Sequence, residues 1–318
     1  MRQFSEYLLE KLVIDDEVVA RKKNREYSVS PQTKSELIEL IRARAREKNL
    51  RRGDVLDLKD IDVWYIHDMS KLFEDSIYNV DVSTWEVNNV ENMDYMFSGA
   101  SFFNGNLSEW DVSNVKSMNH LFYNCEVFEG NGLDKWNTKG LENMNAMFSK
   151  CRNLKCDLSN WNTSRVKNMR FCFKECPFTN KLSKSIENWD VSNCENFRQM
   201  FEFCMYFDAD LSKWDMSKAK DISYMFNKCE FFNQDLSNWN VDNVQYMDYA
   251  FTGCNKFNCD ISKWNVRKVK SMRFAFNGCT SLDCDLNKWK VNKNAVINSA
   301  LKNTKIEEQN RLPAWYKY

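Results

Sequence analysis

The sequence predicts an α/β solenoid, a stack of coils about 25 residues long with one short strand and one short helix in each. Three observations predict it. Nine tryptophans, Trp85, Trp110, Trp136, Trp161, Trp189, Trp214, Trp239, Trp264 and Trp289, follow one another at intervals of 25, 26, 25, 28, 25, 25, 25 and 25 residues. Three residues before each stands an aliphatic side chain, from Val82 and Leu107 to Ile261 and Leu286, and twelve after each stands Phe97, Phe122 and so on to Phe276, with Leu301 last. Fifteen after each come Ala100, then Cys125, Cys151, Cys176, Cys204, Cys229, Cys254 and Cys279, then Thr304. A single such unit cannot cover its own apolar edge, so neighbours must stack into one continuous core.

The elements follow in chain order. Phe4, Tyr7, Leu8, Leu9 and Leu12 suggest a short helix, and residues 21–25 a basic exposed linker. Ser30 and Pro31 open a second helix through Leu37, Ile38, Ile41 and Ala45, ending near Gly53, so residues 1–53 read as a helical, basic N-terminal cap. Residues 54–73 read as a degenerate first repeat with Trp64, Ile66, Met69, Leu72 and Phe73 as its apolar set. In a full repeat, Leu107 to Val112 alternates as a strand buried on one face should. Ser113 then caps a helix whose Val115, Met118, Leu121, Phe122 and Cys125 share one face. The 28-residue interval before Trp189 predicts a loop bulging near Lys184 and Ser185. Repeats run to residue 304, and residues 305–318 form a tail over the last edge.

Composition agrees and excludes alternatives. With 22 Phe and 11 Trp the chain can bury enough apolar surface to offset its conformational entropy, which excludes disorder. No apolar run approaches the roughly 20 residues of a membrane span. The first residues carry acids inside their apolar stretch and no small-residue cleavage site, so a secretory signal is not expected, and a cytoplasmic or virion-associated protein is expected ahead of a secreted one. The balanced 45 basic and 45 acidic residues hide polarity: +4 over residues 1–53, −11 over 54–126 and +7 over 127–318.

The columns L-x-x-W-x-V-x-x-V-x-x-M-x-x-M-F-x-x-C, repeated in phase over about 54–304, closely resemble the leucine-rich repeat of BspA-like surface proteins. This tryptophan-containing variety occurs in mycoplasma lipoproteins, gut bacteria and their phages, and giant viruses. The resemblance implies a right-handed leucine-rich-repeat solenoid and, more weakly, adhesion or protein binding. It implies a virion or phage-assembly component as context, with a bacterial surface adhesin as the alternative.

Five features could carry chemistry. The Cys column is expected to pack as small buried hydrophobes, against an incidental disulfide or a metal site; the only histidines are His67 and His120. Asp81, Asp157, Asp210, Asp235, Asp260 and Asp285 stand four residues before Trp and are expected to cap turns, with calcium as the sharper alternative. In a leucine-rich repeat, positions beside the Trp face the concave side. There Glu86, Glu109, Asp111, Lys135, Asp190, Lys213, Asp215, Lys263 and Lys288 form a strip that drifts from acidic to basic. It reads as a solvated face or as a polar protein-binding groove. Ten after Trp, Tyr95, Phe171, Tyr224, Tyr249 and Phe274 form either an exposed convex aromatic row or rings tucked between turns. Finally Arg42, Arg44, Arg46, Lys48, Arg51 and Arg52 form a basic patch whose natural mate is the acidic segment that follows, ahead of nucleic acid.

No phosphate-binding glycine loop or nucleophile elbow is present, and neither His has a partner at motif spacing. The expected function is a non-enzymatic scaffold for a protein partner, without cofactor or metal. A nucleic-acid role for the N-terminal helix is the alternative.

Overall fold

A computed structural model describes residues 27–316. The helix expected around Phe4 to Leu12 and the linker at 21–25 lie outside the described residues.

Alternate amides of a coil serve different coils. The N–H groups of Met93, Tyr95, Phe97 and Gly99 donate to the carbonyls of Ser117, Asn119, Leu121 and Tyr123 in the next coil at 2.7–3.0 Å. Those between them, on Met96, Ser98 and Ala100, donate three residues back to Met93, Tyr95 and Phe97 at 2.9–3.2 Å. The same alternation recurs as far as Met272, Phe274, Phe276 and Gly278, which reach Val296, Asn298, Ala300 and Lys302.

The segment expected to be a helix is therefore a run of β-turns. Its third residue is left-handed in coil after coil, as at Tyr95 (φ 59°), His120 (53°), Phe171 (57°) and Tyr249 (57°). Such a residue interrupts an α-helix and costs about 1–2 kcal/mol when it is not glycine. Here it closes a turn whose third position requires positive φ, and it turns alternate N–H groups toward the neighbouring coil. The expected strand is likewise a turn: Trp110 N–H donates to the Leu107 carbonyl at 3.2 Å. Among the described residues the named strands are β1 (Val55–Asp57) and β2 (Asn79–Asp81). They are parallel, with Leu56 opposite Val80. Beyond them, single parallel bridges join successive coils, from Asp68 with Asn92 to Ser271 with Val296.

The turn carbonyls also hold the side-chain columns. The Leu107 carbonyl accepts from Trp110 N–H in its own coil and, at 3.0 Å, from the Trp136 indole N–H of the next. Its oxygen has two lone pairs, so both donors are accommodated. The same arrangement places the indole N–H of Trp85 on Leu58, of Trp214 on Ile186 and of Trp289 on Ile261, at 2.8–3.1 Å. The thiol column copies it: Phe122 O accepts from Cys125 N–H and from Cys151 Sγ, at 3.1 and 2.9 Å. The Phe rings stack coil on coil, Phe97 on Phe122 at 5.6 Å and Phe226 on Phe251 at 5.2 Å. A second aromatic column, Phe103, Phe128, Phe207, Phe232 and Phe257, stacks beside the first and is fully buried.

Outside the core a column of alternating charge runs from coil to coil. Lys116 pairs with Glu91 at 2.6 Å, Lys167 with Glu142 at 3.0 Å and Lys220 with Glu195 at 2.7 Å, while Lys270 donates to Gln245 at 2.8 Å. Like charges repeated at this spacing would repel, and alternation removes the conflict. Each exposed pair is worth about 0–1 kcal/mol.

The ends complete the stack. Helix α1 (Lys34–Glu47) is capped by the Thr33 hydroxyl and buries Leu37, Leu40 and Ala45. In the first coil Ile61, not Trp64, occupies the tryptophan slot. It is fully buried, its N–H donates to Leu58 O, and Trp64 is only partly buried. The 28-residue interval folds as helix α2 (Asn180–Ile186) and not as a bulging loop: Thr179 caps it, and Leu182 and Ile186 are buried. Ile186 stays in its column, so the insertion leaves the ladder in register. After the short helix α3 (Lys305–Glu308), Trp315 donates its indole N–H to Leu286 O at 2.8 Å and stacks on Trp289 at 5.8 Å. The tail thus extends the tryptophan column.

Trp214→Ala removes a buried indole whose ring contacts Phe197 and Phe201. We expect a loss of about 3–5 kcal/mol by urea denaturation, and an unchanged midpoint would contradict its burial.

Candidate interaction site

The strip beside the tryptophans is partly occupied by turn capping. Asp111, Asp190 and Asp215 accept the backbone N–H groups of Ser113, Ser192 and Ser217 at 2.9–3.0 Å. The column four before Trp does the same: Asp157, Asp210, Asp235 and Asp260 accept from Ser159, Ser212, Ser237 and Ser262 at 2.9–3.0 Å. The carboxylate mimics a turn carbonyl, which is why Asp and Asn occupy these positions. Among the described residues no group of three or more His, Cys, Asp or Glu side chains is placed to hold a metal ion.

The remaining strip residues divide by charge. Glu109 is exposed and Glu86 half-buried at one end, while Lys135, Lys213, Lys263 and Lys288 are exposed further along. Lys135 pairs with Asp134 at 3.5 Å, and Lys213 reaches Asn188 Oδ1 at 3.2 Å. Lys263 and Lys288 come together with Arg267 and Lys290 around a shallow cationic groove of about 490 Å³.

The rings ten after Trp neither stand free nor enter the core. They are half-buried and stack on one another: Tyr95 on His120 at 4.5 Å, Tyr224 on Tyr249 at 4.6 Å and Tyr249 on Phe274 at 4.8 Å. The left-handed turn residue points them outward in register. Cations lie over them, Arg198 at 5.1 Å from the Tyr224 centroid and Lys71 at 5.4 Å from Tyr95. Phe171 carries Arg170 at 4.5 Å.

A more exposed cluster lies beside this row. Tyr206 (68% exposed), Phe203 (51%), Phe231 (48%) and Met205 (43%) are large apolar side chains in contact with solvent. Tyr206 stacks on Phe231 at 5.4 Å, and Lys174 lies 5.7 Å from the Phe203 centroid and 5.8 Å from that of Phe171. The signal was present in the columns. The position fourteen after Trp holds Gly99, Asn124, Lys150, Glu175, Lys228 and Gly253, and only the coil of Trp189 places an aromatic there, Phe203.

The basic helix docks internally through two of its cations. Arg44 forms an ion pair with Asp60, and Lys34 pairs with Asp68 at 3.1 Å. Arg42 instead pairs with Glu39 on its own helix, and Arg52 lies over Phe102 at 5.1 Å. The thiol ladder carries no reactive signature. All twelve cysteines are free, eleven of them are buried, and burial pushes their thiols up, that of Cys194 to about 12.

The capping carboxylates give the fold an acid limit. Hydrogen bonds from Ser212, Ser237 and Ser262 hold Asp210, Asp235 and Asp260 below their ordinary value of 3.8. A carboxyl lowered in the folded state stabilises fully above its unfolded pKa, and that contribution disappears as pH falls through the folded value. Asparagine keeps the turn acceptor without the titration. The triple variant Asp210→Asn/Asp235→Asn/Asp260→Asn should therefore lose less thermal midpoint than the parent between about pH 5 and pH 3. An equal loss would show that these carboxyls do not set the acid limit.

Among the described residues no helix is long and apolar enough to cross a membrane. No similar curated protein and no similar solved structure was found. The family described as "Mycoplasma protein of unknown function, DUF285" matches three successive stretches, 45–132, 126–230 and 206–315. Each stretch spans several coils, so a periodic chain satisfies the family pattern repeatedly. Together the matches run from residue 45 to residue 315, and the chain belongs to the DUF285 family.

Proposed function

We propose that the chain is a leucine-rich-repeat solenoid of the BspA-like kind and acts as a non-enzymatic scaffold that holds a protein partner on its aromatic turn face. The stacking of successive coils through parallel bridges at the repeat spacing supports the architectural part. The exposed cluster of Phe203, Met205, Tyr206 and Phe231 carries the functional part. Apolar surface left in water forgoes about 25 cal/mol per Å² of stabilisation. Exposed apolar clusters rimmed by polar residues mark interaction sites, and tyrosine is among the residues enriched in interface hot spots. Phe203 and Met205 interrupt columns that are mainly polar or glycine elsewhere, and Tyr206 and Phe231 stand beside them in a column that also holds Phe102 and Val127.

The test uses the full chain immobilised and exposed to extract of the organism that encodes it, beside the variant Phe203→Ser/Tyr206→Ser/Phe231→Ser. We expect a polypeptide retained by the parent to fall at least about tenfold on the variant, a difference of about 1.4 kcal/mol in binding, with the thermal midpoint unchanged. Equal retention by both proteins, or retention of nothing by the parent, contradicts the reading.

A further inference from the structure

The stacked row has one empty rung. The positions ten after Trp hold rings at Tyr95, His120, Phe171, Tyr224, Tyr249 and Phe274, but alanine at Ala146. The backbone there is unchanged. Ala146 has φ 52° against 53° at His120 and 57° at Phe171, its N–H donates to Arg170 O at 2.7 Å, and His120 N–H donates to Asn145 O at 2.8 Å. Coil spacing is therefore maintained while the ring is missing. Elsewhere adjacent rings stand 4.5–4.8 Å apart and within 16° of parallel, so His120 and Phe171 are separated by two such rungs. A groove of about 470 Å³ runs along this face from Glu74 and Ser98 to Lys174, with His120, the buried Ala146 and Phe171 among its lining residues.

The other ringless coil inside the row is closed. There Gln199 donates to Glu202, and the guanidinium of Arg198 covers Tyr224 at 5.1 Å. At the Ala146 coil Arg170 packs on Phe171 but does not line the groove.

We propose that this slot takes an aromatic side chain of a partner polypeptide, with an acidic residue beside it in the partner's sequence. A flat ring fits between two ring faces because offset stacking is favourable at the spacing the row already keeps. The rim beside the missing ring supplies the charge preference, since the one carboxylate in the lining, Glu74, lies at the other end and pairs with Lys71 at 3.6 Å. Lys150, whose ammonium lies 5.9 Å from the Tyr123 ring, lines the slot and has no carboxylate partner among the described residues. Lys174 lines it also, though shared with Glu202 at 2.7 Å. His120 Nδ1 is buried there without a hydrogen-bond partner among the described residues. Lys174 borders both Phe171 and Phe203, so the slot adjoins the exposed cluster. The assignment rests on the protein-scaffold reading for the source of the ring, and the two are tested separately, since the peptide titration below does not use the exposed cluster.

The chain has two histidines, so the ring protons of His120 and His67 can be followed individually by NMR. The probe is the peptide acetyl-Glu-Tyr-Glu-amide, with acetyl-Glu-Leu-Glu-amide as its aliphatic counterpart. We expect the tyrosyl peptide to move the His120 ring protons upfield in a saturable titration, leaving His67 unmoved, and the leucyl peptide to move neither. Ala146→Phe fills the rung with the chain's own ring at a backbone position where Phe171 and Phe274 already stand. It should abolish the shift while keeping or raising the thermal midpoint. Ala146→Ser, the residue type found at Ser299 in the same column, should keep the shift. No movement of His120 up to about 10 mM peptide, the weak end of measurable affinity, overturns the proposal. So does equal movement by the leucyl peptide, or an unaltered titration in Ala146→Phe.

Discussion

A turn carbonyl that accepts two donors, one from its own coil and one from the next, is the interaction on which this molecule depends. A coil of two dozen residues cannot satisfy its own backbone, because alternate amides point along the stack. Nor can it bury an indole without a partner for the N–H, since an unpaired buried donor costs about 1–3 kcal/mol. Carbonyls such as Ser117, Asn119, Leu121 and Tyr123 accept the amides that point along the stack, and those of Leu107 and Phe122, which already close turns in their own coil, hold an indole and a thiol of the next. This explains why Trp and Cys recur where another large apolar residue or alanine would fill the volume equally well. It also explains the ends: α1 lies over the first coil, and Trp315 uses the Leu286 carbonyl that the last coil leaves available.

Much of this was legible in the chain. Stacking at the repeat period, the buried columns and the turn-capping role of the aspartates all follow from residue spacing. What misled was the number three. Met118, Leu121 and Phe122, Cys125 stand three apart because each pair closes an i to i+3 turn, and the same spacing marks one face of a helix. Left-handed backbone gave no warning either, since Tyr95, Phe171 and Tyr249 are residue types that rarely adopt it alone. They do so here because the neighbouring coil accepts the strained residue's own N–H, as Asn119 O does from Tyr95, and the N–H groups two residues to either side. In the first coil an isoleucine, Ile61, holds the tryptophan slot, so the indole spacing does not extend to it. Helix α2 was hidden because seven residues are too few for a clear period, and only Thr179 and the apolar pair Leu182 and Ile186 betray it.

The candidate site was less legible, for a physical reason. The strip chosen for variability beside tryptophan includes Asp111, Asp190 and Asp215, which the turns themselves require. Freedom to vary lies instead on the outward turn residues, where the backbone is fixed by the ladder and the side chain is not. There the chain places stacked rings, one alanine and one apolar cluster. A rigid ladder of this kind separates the residues that make the fold from those available for recognition.

Native-state hydrogen exchange of the indole N–H groups tests the shared carbonyl most directly. The indoles in the column, from Trp85 to Trp289, should exchange only when coils open, orders of magnitude more slowly than a solvated indole. Exchange of these protons at the rate of a free indole would mean that the carbonyls do not hold them, and the stacked architecture would not stand.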